Sequence, residues 1–277
     1  MNNSLITASV SMHALQRKLD MLSNNIANIN TAGYKRMDAS FQDVLTSVKQ
    51  QPMSFQQQGR LSPLGYNHGW GSRLVQAQMD MAQGSLAASD NPLDVAIEGN
   101  GLFEIASADG SAPVYTRDGS FDLRPDTDPT NMVLTTKDGG TVIGVNDDPI
   151  RIPVDHRIQI QSDGTILAFN DADKTAAPVQ AGQLKLMRVL RPQLLQPLGN
   201  NQYTLAGGIA NPDVLQPAAN NAETPITVKQ GFVEQSNVNL ADEMTDLLQV
   251  QRAFQLNARA VTSSETMMGI ANNLRNS

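Results

Sequence analysis

Apolar side chains near the N-terminus recur in alternating steps of three and four residues. This spacing places them on one stripe of an α-helix, as at the a and d positions of a coiled-coil heptad. No proline or glycine interrupts the pattern before Gly33, which is a typical helix stop. The pattern predicts a helix whose single apolar stripe contains Leu5, Ala8, Met12, Leu15, Leu19, Leu22, Ile26 and Ile29.

A second apolar repeat lies near the C-terminus, with a period of seven residues. Its members are Leu240, Leu247, Phe254, Val261 and Met268. The segment from Leu240 to Leu274 holds one glycine, Gly269, and no proline. A helix of this length would extend about 50 Å, which is long for a globular protein.

Each of the two predicted helices has an apolar stripe that needs a partner. A lone helix is only marginally stable in water, and each buried Leu or Ile contributes roughly 1.5–3 kcal/mol. We therefore expect the two ends of the chain to pair with each other or with copies of themselves. The alternative is a helical cap that packs on the core of the same chain.

The middle of the chain has a different pattern, with short β-prone runs separated by Asp-Gly and similar turns. The clearest hairpin joins Ile158–Gln161 to Thr165–Phe169. The other predicted strands are Leu102–Ala106, Val114–Arg117, Phe121–Leu123, Met132–Thr136, Thr141–Val145, Ile150–Pro153, Leu184–Leu190 and Tyr203–Ala206.

These patterns predict an α+β fold, with a mainly antiparallel β central domain flanked by long terminal helices that pair as a coiled coil. Residues 1–36 and 236–277 would form the helical domain, and residues 93–235 the β-rich domain. Between them, residues 37–92 are rich in Gln and Gly, which favours an extended, loop-like connector.

Composition excludes several classes of protein. The net charge of −7 argues against nucleic acid as a partner, because phosphate binding needs a basic face. No apolar run is long enough to span a bilayer, so we expect no membrane insertion. The N-terminus lacks the basic region of a cleaved signal peptide. The absence of cysteine rules out disulfides and thiol chemistry.

The sequence contains no convincing catalytic or metal-binding motif. The three histidines, His13, His68 and His156, lack metal-ligand spacing, and no nucleophile or phosphate-binding motif is present. Asp118 and Asp163 precede glycines in turns, where Asp is favoured for its side-chain hydrogen bond to the backbone. We therefore predict no catalytic residue, cofactor or metal.

The end of the first predicted helix is unusually rich in amide side chains. Amides beside an apolar stripe can form specific hydrogen bonds to neighbouring helices without charge repulsion, and Gly33 permits a left-handed turn. A polar helix end in a monomer is the alternative explanation, but four asparagines would be excessive for it. The candidate residues of this turn are Asn24, Asn25, Asn28, Asn30, Thr31, Gly33, Tyr34 and Lys35.

The run Ser23–Lys35 closely resembles the S-N-N-I-A-N-x-N-T-x-G-Y-K signature of the bacterial flagellar rod and hook axial proteins. Gly231–Met244 is similar to a second signature of that family, and Gln249–Phe254 looks most like its distal-rod branch. Asp94–Phe103 and Tyr115–Phe121 resemble the entry to the family's β domain.

The resemblance implies a structural subunit of the flagellar basal-body rod, which assembles helically into a hollow shaft that transmits torque from motor to hook. Its partners would be copies of itself, other rod and hook proteins, and the flagellar type III apparatus, which would export it without signal cleavage. The remaining alternatives are a hook, junction or assembly protein of the same machine, a secreted β-domain binding module, and a hydrolase.

Overall fold

The computed structural model describes residues 2–43, 47–50, 65–68, 72–106, 113–126, 128–170, 177–205, 211–218 and 225–276. The chain forms two compact units. The helical unit contains Met1–Ile26, Met37–Gln78 and Leu240–Ser277, and the β unit contains Ala27–Arg36 and Met79–Asn239.

The helices, in chain order, are α1 (Asn2–Ala27), the single-turn α2 (Asn211–Val214) and α3 (Leu240–Asn276). The strands are β1 (Met37–Asp43), β2 (Ser47–Gln50), β3 (Gly65–His68), β4 (Ser72–Met79), β5 (Leu86–Ala88), β6 (Val95–Glu98), β7 (Gly101–Ala106), β8 (Val114–Thr116), β9 (Phe121–Pro125), β10 (Asn131–Thr136), β11 (Thr141–Val142), β12 (Arg151–Pro153), β13 (His156–Ile160), β14 (Thr165–Asn170), β15 (Val179–Gln183), β16 (Leu186–Val189), β17 (Leu195–Gly199), β18 (Gln202–Leu205), β19 (Leu215–Pro217), β20 (Thr227–Gln230) and β21 (Phe232–Glu234).

The helical unit contains α1, α3 and two pairs of strands, β1 with β4 and β2 with β3. α1 ends at Ala27, two residues before the last apolar position of its predicted stripe, because the chain turns there into the β unit. α3 begins at the predicted Leu240 and continues for 37 residues. None of the helices in the described part of the chain has a stretch apolar and long enough to cross a bilayer.

The β unit is built around a ten-stranded sheet. Its main path is β12-β10-β11-β7-β8-β18-β17, with β16 joining β7 to β19 and β9 pairing with β10. β13, β14 and β15 form a three-stranded sheet, and β20–β6 and β21–β5 form two-stranded sheets. All of these pairings, wherever their register is described in the β unit, are antiparallel.

The core of the β unit consists of two apolar clusters. Successive side chains of a strand point to opposite faces, and in β7 Leu102 belongs to one cluster while Phe103 belongs to the other. Phe103 also meets Phe121 edge to face, with ring centroids 5.1 Å apart. Apolar residues thus pack against both faces of β7.

The predicted architecture is confirmed at the level of its elements. A mainly antiparallel β region lies between an N-terminal and a C-terminal helix, and the hairpin predicted around Asp163 and Gly164 is β13–β14. Each of the ten predicted strands overlaps an observed one. β6 was not predicted, because three of its four residues are buried and it lacks the alternation that identifies a half-exposed strand.

The segment predicted as an extended, loop-like connector contains strands. Residues 37–92 include β1, β2, β3, β4 and β5, so the described part of this segment is largely paired strand. Polar side chains obscured these strands, because backbone pairing needs a partner and not an apolar pattern. The amide-rich run around Gln57 and the glycines flanking Trp70 lie outside the described residues.

Candidate functional site

The amide-rich turn after α1 folds as part of the β unit. The Thr31 amide donates to the Asn28 carbonyl at 3.1 Å, and the Thr31 hydroxyl donates to the Asn28 side-chain oxygen at the same distance. Gly33 has φ +69°, and a Cβ built there would lie 2.7 Å from the carbonyl carbon of Arg117. The turn therefore needs glycine both for its left-handed backbone and for this close approach.

A buried ionic cluster lies directly after Gly33. The Lys35 ammonium is 2.7 Å from Oε1 of Glu234, and Nε of Arg117 is 2.5 Å from Oε2 of the same carboxylate. The three side chains are at most 2% exposed. One carboxylate therefore pairs with two cations that lie 199 and 117 residues away in sequence.

Backbone groups complete the coordination of this Lys35–Arg117–Glu234 cluster. Arg117 donates through Nη2 to the Ile97 carbonyl at 2.9 Å and through Nη1 to the Gly101 carbonyl. Lys35 donates to the Ala82 carbonyl at 2.8 Å. These bonds satisfy the hydrogen-bonding capacity that burial would otherwise leave open.

The charges in the cluster shift the pKa of Glu234 against the effect of burial, whereas burial dominates the shift of Lys35. Burial opposes ionisation of Glu234, but Arg117 and Lys35 outweigh it and hold the pKa of this carboxyl below its ordinary value. Burial lowers the pKa of Lys35, and the nearby Arg117 adds to that effect against the attraction of Glu234. The carboxylate is therefore the group that makes burial of two cations tolerable.

Two further asparagines attach the turn to other segments of the β unit. Asn201 has φ +55°, directly after Asn200 at φ +49°, and its Nδ2 donates to the Ala32 carbonyl at 2.8 Å. Asn237 accepts from the Arg36 amide at 2.7 Å and donates to the carbonyls of Asp80 and Ala82. The turn is thus held from both sides by side chains remote in sequence.

Beside the turn, Tyr34 and Tyr203 are both buried. Burial, reinforced by Tyr34, raises the pKa of the Tyr203 phenol well above its ordinary range.

Asn25 is the buried asparagine of the signature turn. It is fully buried, its Nδ2 lies 3.1 Å from Oε2 of Glu243 in α3, and it exchanges two hydrogen bonds with the Met37 backbone. Asn28 is half-buried, whereas Asn24 and Asn30 are exposed.

The predicted helix stripes have unequal burial. In α1 Leu22 is buried, and the half-buried members are Leu5, Met12, Leu15, Leu19 and Ile26. Ile29, beyond the end of α1, is also half-buried. In α3 the half-buried members are Leu247, Phe254, Val261 and Met268. Leu240 is 44% exposed.

The buried residues of α3 are Glu243, Val250 and Ser264, which are separated by seven and fourteen residues. They form a buried row beside the predicted one, and they precede Leu247, Phe254 and Met268 by four residues.

Several of these residues were not singled out from the sequence as site residues. Arg117 and Glu234 lie within runs that were recognised as motifs, yet a charged residue next to a strand is usually solvated. The one available signal was their position among strand residues that are otherwise apolar, such as Phe232 and Val233. Glu243 and Asn201 offered no such signal. Among the described residues, no group of three His, Cys, Asp or Glu could hold a metal ion.

Three family models match the chain in separate segments. Residues 5–35 match "Flagella basal body rod protein", residues 96–168 match the "Flagellar hook protein FlgE/F/G D1 domain", and residues 229–274 match "Flagellar basal body rod FlgEFG protein C-terminal". The chain is also 36% identical to the flagellar basal-body rod protein FlgG of Agrobacterium fabrum, over 96% of this chain and 97% of that protein.

The chain belongs to the flagellar basal-body rod family. It is 33% identical to FlgG of Bacillus subtilis over 99% of this chain and all of that protein. It is also 31% identical to the flagellar hook-basal body complex protein FlhP of that organism, over the same shares. It is a structural subunit of the rod, and these relatives are structural proteins. The near full-length match argues against a secreted module that shares only the β domain.

The ionic cluster of this rod protein joins all three matched segments. Lys35 closes the first match, Arg117 lies in the second and Glu234 in the third. The signature turn is therefore a structural junction of the subunit, where segments distant in sequence meet in a buried cluster.

Proposed function

We propose that α1 and α3 form the axial, tube-lining layer of the rod by pairing with each other as a coiled coil and packing against copies of themselves. In this proposal residues 1–36 and 236–277 form the axial domain, residues 37–92 connect it, and residues 93–235 lie outside it. The assembled shaft is hollow and transmits torque between motor and hook.

The observation that carries the proposal is the hydrogen bond between Asn25 and Glu243. It joins the last turn of α1 to the first turn of α3, at positions 218 residues apart in sequence. Neighbouring positions then continue in opposite directions along the two helices, so that Leu22 and Leu247 are brought towards each other. The stripes of both helices can be buried in this arrangement.

A row of exposed apolar side chains on α3, distinct from the buried row of Glu243, Val250 and Ser264, supports contact with further copies. Its members are exposed in the isolated chain, and Leu248 and Leu256 lie on the side of the helix away from Val250. The row consists of Leu248, Leu256, Met267, Ile270 and Leu274. A contact of this row with a different surface of the next subunit is heterologous, and it builds a helical tube when the successive rotations do not close into a ring.

Export belongs to the same proposal. The chain would leave the cell unfolded through the flagellar type III apparatus and keep its N-terminal segment, because that segment becomes α1 of the assembled subunit. A chain without cysteine can cross compartments without forming wrong disulfides.

Helix pairing can be tested by disulfide formation in the natural cysteine-free background. The variant L22C/L247C should form an intrachain disulfide upon mild oxidation of purified hook–basal bodies. The control L22C/L248C shifts one cysteine by about 100° around α3 and should form far less. Equal or negligible disulfide formation in the two variants would contradict the paired arrangement.

A further inference from the structure

We infer that the buried Asn25–Glu243 pair sets the register of α1 against α3, acting as a specificity determinant for the coiled coil. This inference rests on the helix pairing proposed above and identifies the residues that select one alignment among several. Three observations carry it: the saturated bonding of Asn25, the burial of Glu243, and the apolar repetition of the rest of the stripe.

The side-chain amide of Asn25 both donates and accepts hydrogen bonds. Nδ2 donates to Oε2 of Glu243 at 3.1 Å and to the Met37 carbonyl at 2.9 Å, and Oδ1 accepts from the Met37 amide at 3.0 Å. The side chain is fully buried. Its two donor positions are therefore both occupied, and an apolar residue of similar size could replace none of these bonds.

Glu243 is a charged side chain in a position that a coiled coil normally gives to an apolar one. It is 2% exposed and precedes Val250 by seven residues, so it belongs to the same buried row of α3. Its place in the first turn of the helix puts the carboxylate near the positive end of the helix dipole. The amide of Asn25 supplies the neutral donor that burial of this charge requires.

The apolar stripe by itself does not select an alignment. In α1, Leu5, Met12 and Leu19 repeat every seven residues, as do Leu247, Phe254 and Val261 in α3. A slip of one heptad would still place apolar side chains against apolar ones. It would, however, place Asn25 opposite Val250 and separate Glu243 from its donor, which strongly disfavours that register.

The test uses the full chain assembled in purified hook–basal bodies, with two cysteine reporters. L22C/L247C reports the observed register, and L22C/F254C reports a slip of one heptad. With Asn25 and Glu243 intact, we expect the first disulfide to form at least about ten-fold more readily than the second. The reporters are then combined with E243L, which removes the acceptor, or with E243Q, which keeps an oxygen acceptor for the Asn25 amide.

We expect E243L to reduce the preference for the observed register to within about two-fold, and E243Q to preserve most of it. E243L removes the charge together with its burial cost, so helix content measured by circular dichroism should be retained. An unchanged preference in E243L would overturn the inference while leaving helix pairing intact. Absence of both disulfides in the background with Asn25 and Glu243 intact would overturn the pairing itself, and the register inference with it.

Discussion

Glu234 is the residue on which the buried junction of this subunit depends. Two cations, Lys35 and Arg117, share its two oxygens, and all three side chains are excluded from water. Such a cluster contributes little net stability relative to an apolar core, but removing one member leaves an uncompensated buried charge. The cluster therefore specifies which three segments meet, and its loss has a large cost.

Substitution E234Q should lower the free energy of unfolding of the β unit by about 3–5 kcal/mol, because it leaves Lys35 and Arg117 buried without a counter-charge. Urea denaturation of the purified chain measures this. The matched control is E98Q, since Glu98 pairs with Lys229 at 2.6 Å but both side chains are substantially exposed. A loss of similar size in the two variants would show that the buried cluster has no special role.

The acid stability of the chain should depend on the same carboxyl. Because the folded chain holds the pKa of Glu234 below its ordinary value of 4.5, the ionised group stabilises the fold above that pH. This stabilisation is lost as the pH falls through the lower, folded-state pKa. The difference in unfolding free energy between the natural chain and E234Q should therefore shrink on acidification, and a difference independent of pH would argue against this assignment.

At the scale of elements, the turn after α1 depends on the close approach of two backbone segments at Gly33. Gly33 and Gly231 have nearly equal positive φ, +69° and +73°, but only at Gly33 would a Cβ meet backbone atoms at 2.7 Å. The nearest atom to a Cβ at Gly231 is 3.7 Å away. These two glycines therefore separate the cost of backbone conformation from the cost of a clash.

We expect G231A to destabilise the chain by about 1–2 kcal/mol, the cost of a left-handed alanine. G33A should cost more than this, because the Arg117 backbone must also move. Thermal or urea unfolding of the two variants provides the comparison. Equal losses would mean that the Gly33 contact can relax without cost.

A single substitution can test whether the exposed apolar row of α3 contacts neighbouring subunits. Leu256 is 64% exposed, so L256Q should change the stability of the isolated chain by no more than about 0.5 kcal/mol. In cells its incorporation into hook–basal bodies, quantified by mass spectrometry, should fall if that side chain contacts a neighbouring copy. Normal incorporation would place the subunit contacts on another face.

At the scale of the whole molecule, the two units differ in how completely they bury their apolar side chains. The β unit has two buried clusters, whereas most stripe residues of α1 and α3 are only half-buried. Since tertiary packing supplies most of the stability of a helix, the terminal helices should order fully only upon assembly.

Limited proteolysis of the isolated chain should therefore remove both ends before the β unit is cut, and the same sites should be protected in intact hook–basal bodies. The peptides released identify the cut sites by mass spectrometry. Survival of both termini in the isolated chain would contradict coupled ordering. The same spectra report whether the assembled protein retains its N-terminal peptide, as the proposed export route requires.

The sequence by itself determined the elements of this protein. Periods of seven predicted both long helices, and alternating apolar residues with Asp-Gly turns predicted the central β region, because such patterns are local. Gly33 was also identified locally, as a helix stop that permits a left-handed turn. Lys35 was identified only through resemblance to a known signature, which reveals that a residue matters without revealing its contacts.

The tertiary structure decided the contacts between distant segments. Arg117, Glu234 and Glu243 are charged side chains that single-sequence reasoning assigns to the surface, since an isolated charge is costly to bury. Their burial becomes tolerable because each has a partner that is distant in sequence. Glu234 pairs with Lys35 and Arg117, and Glu243 accepts a hydrogen bond from Asn25. A local pattern carries no information about such a partner, so these junctions emerge only from the folded chain.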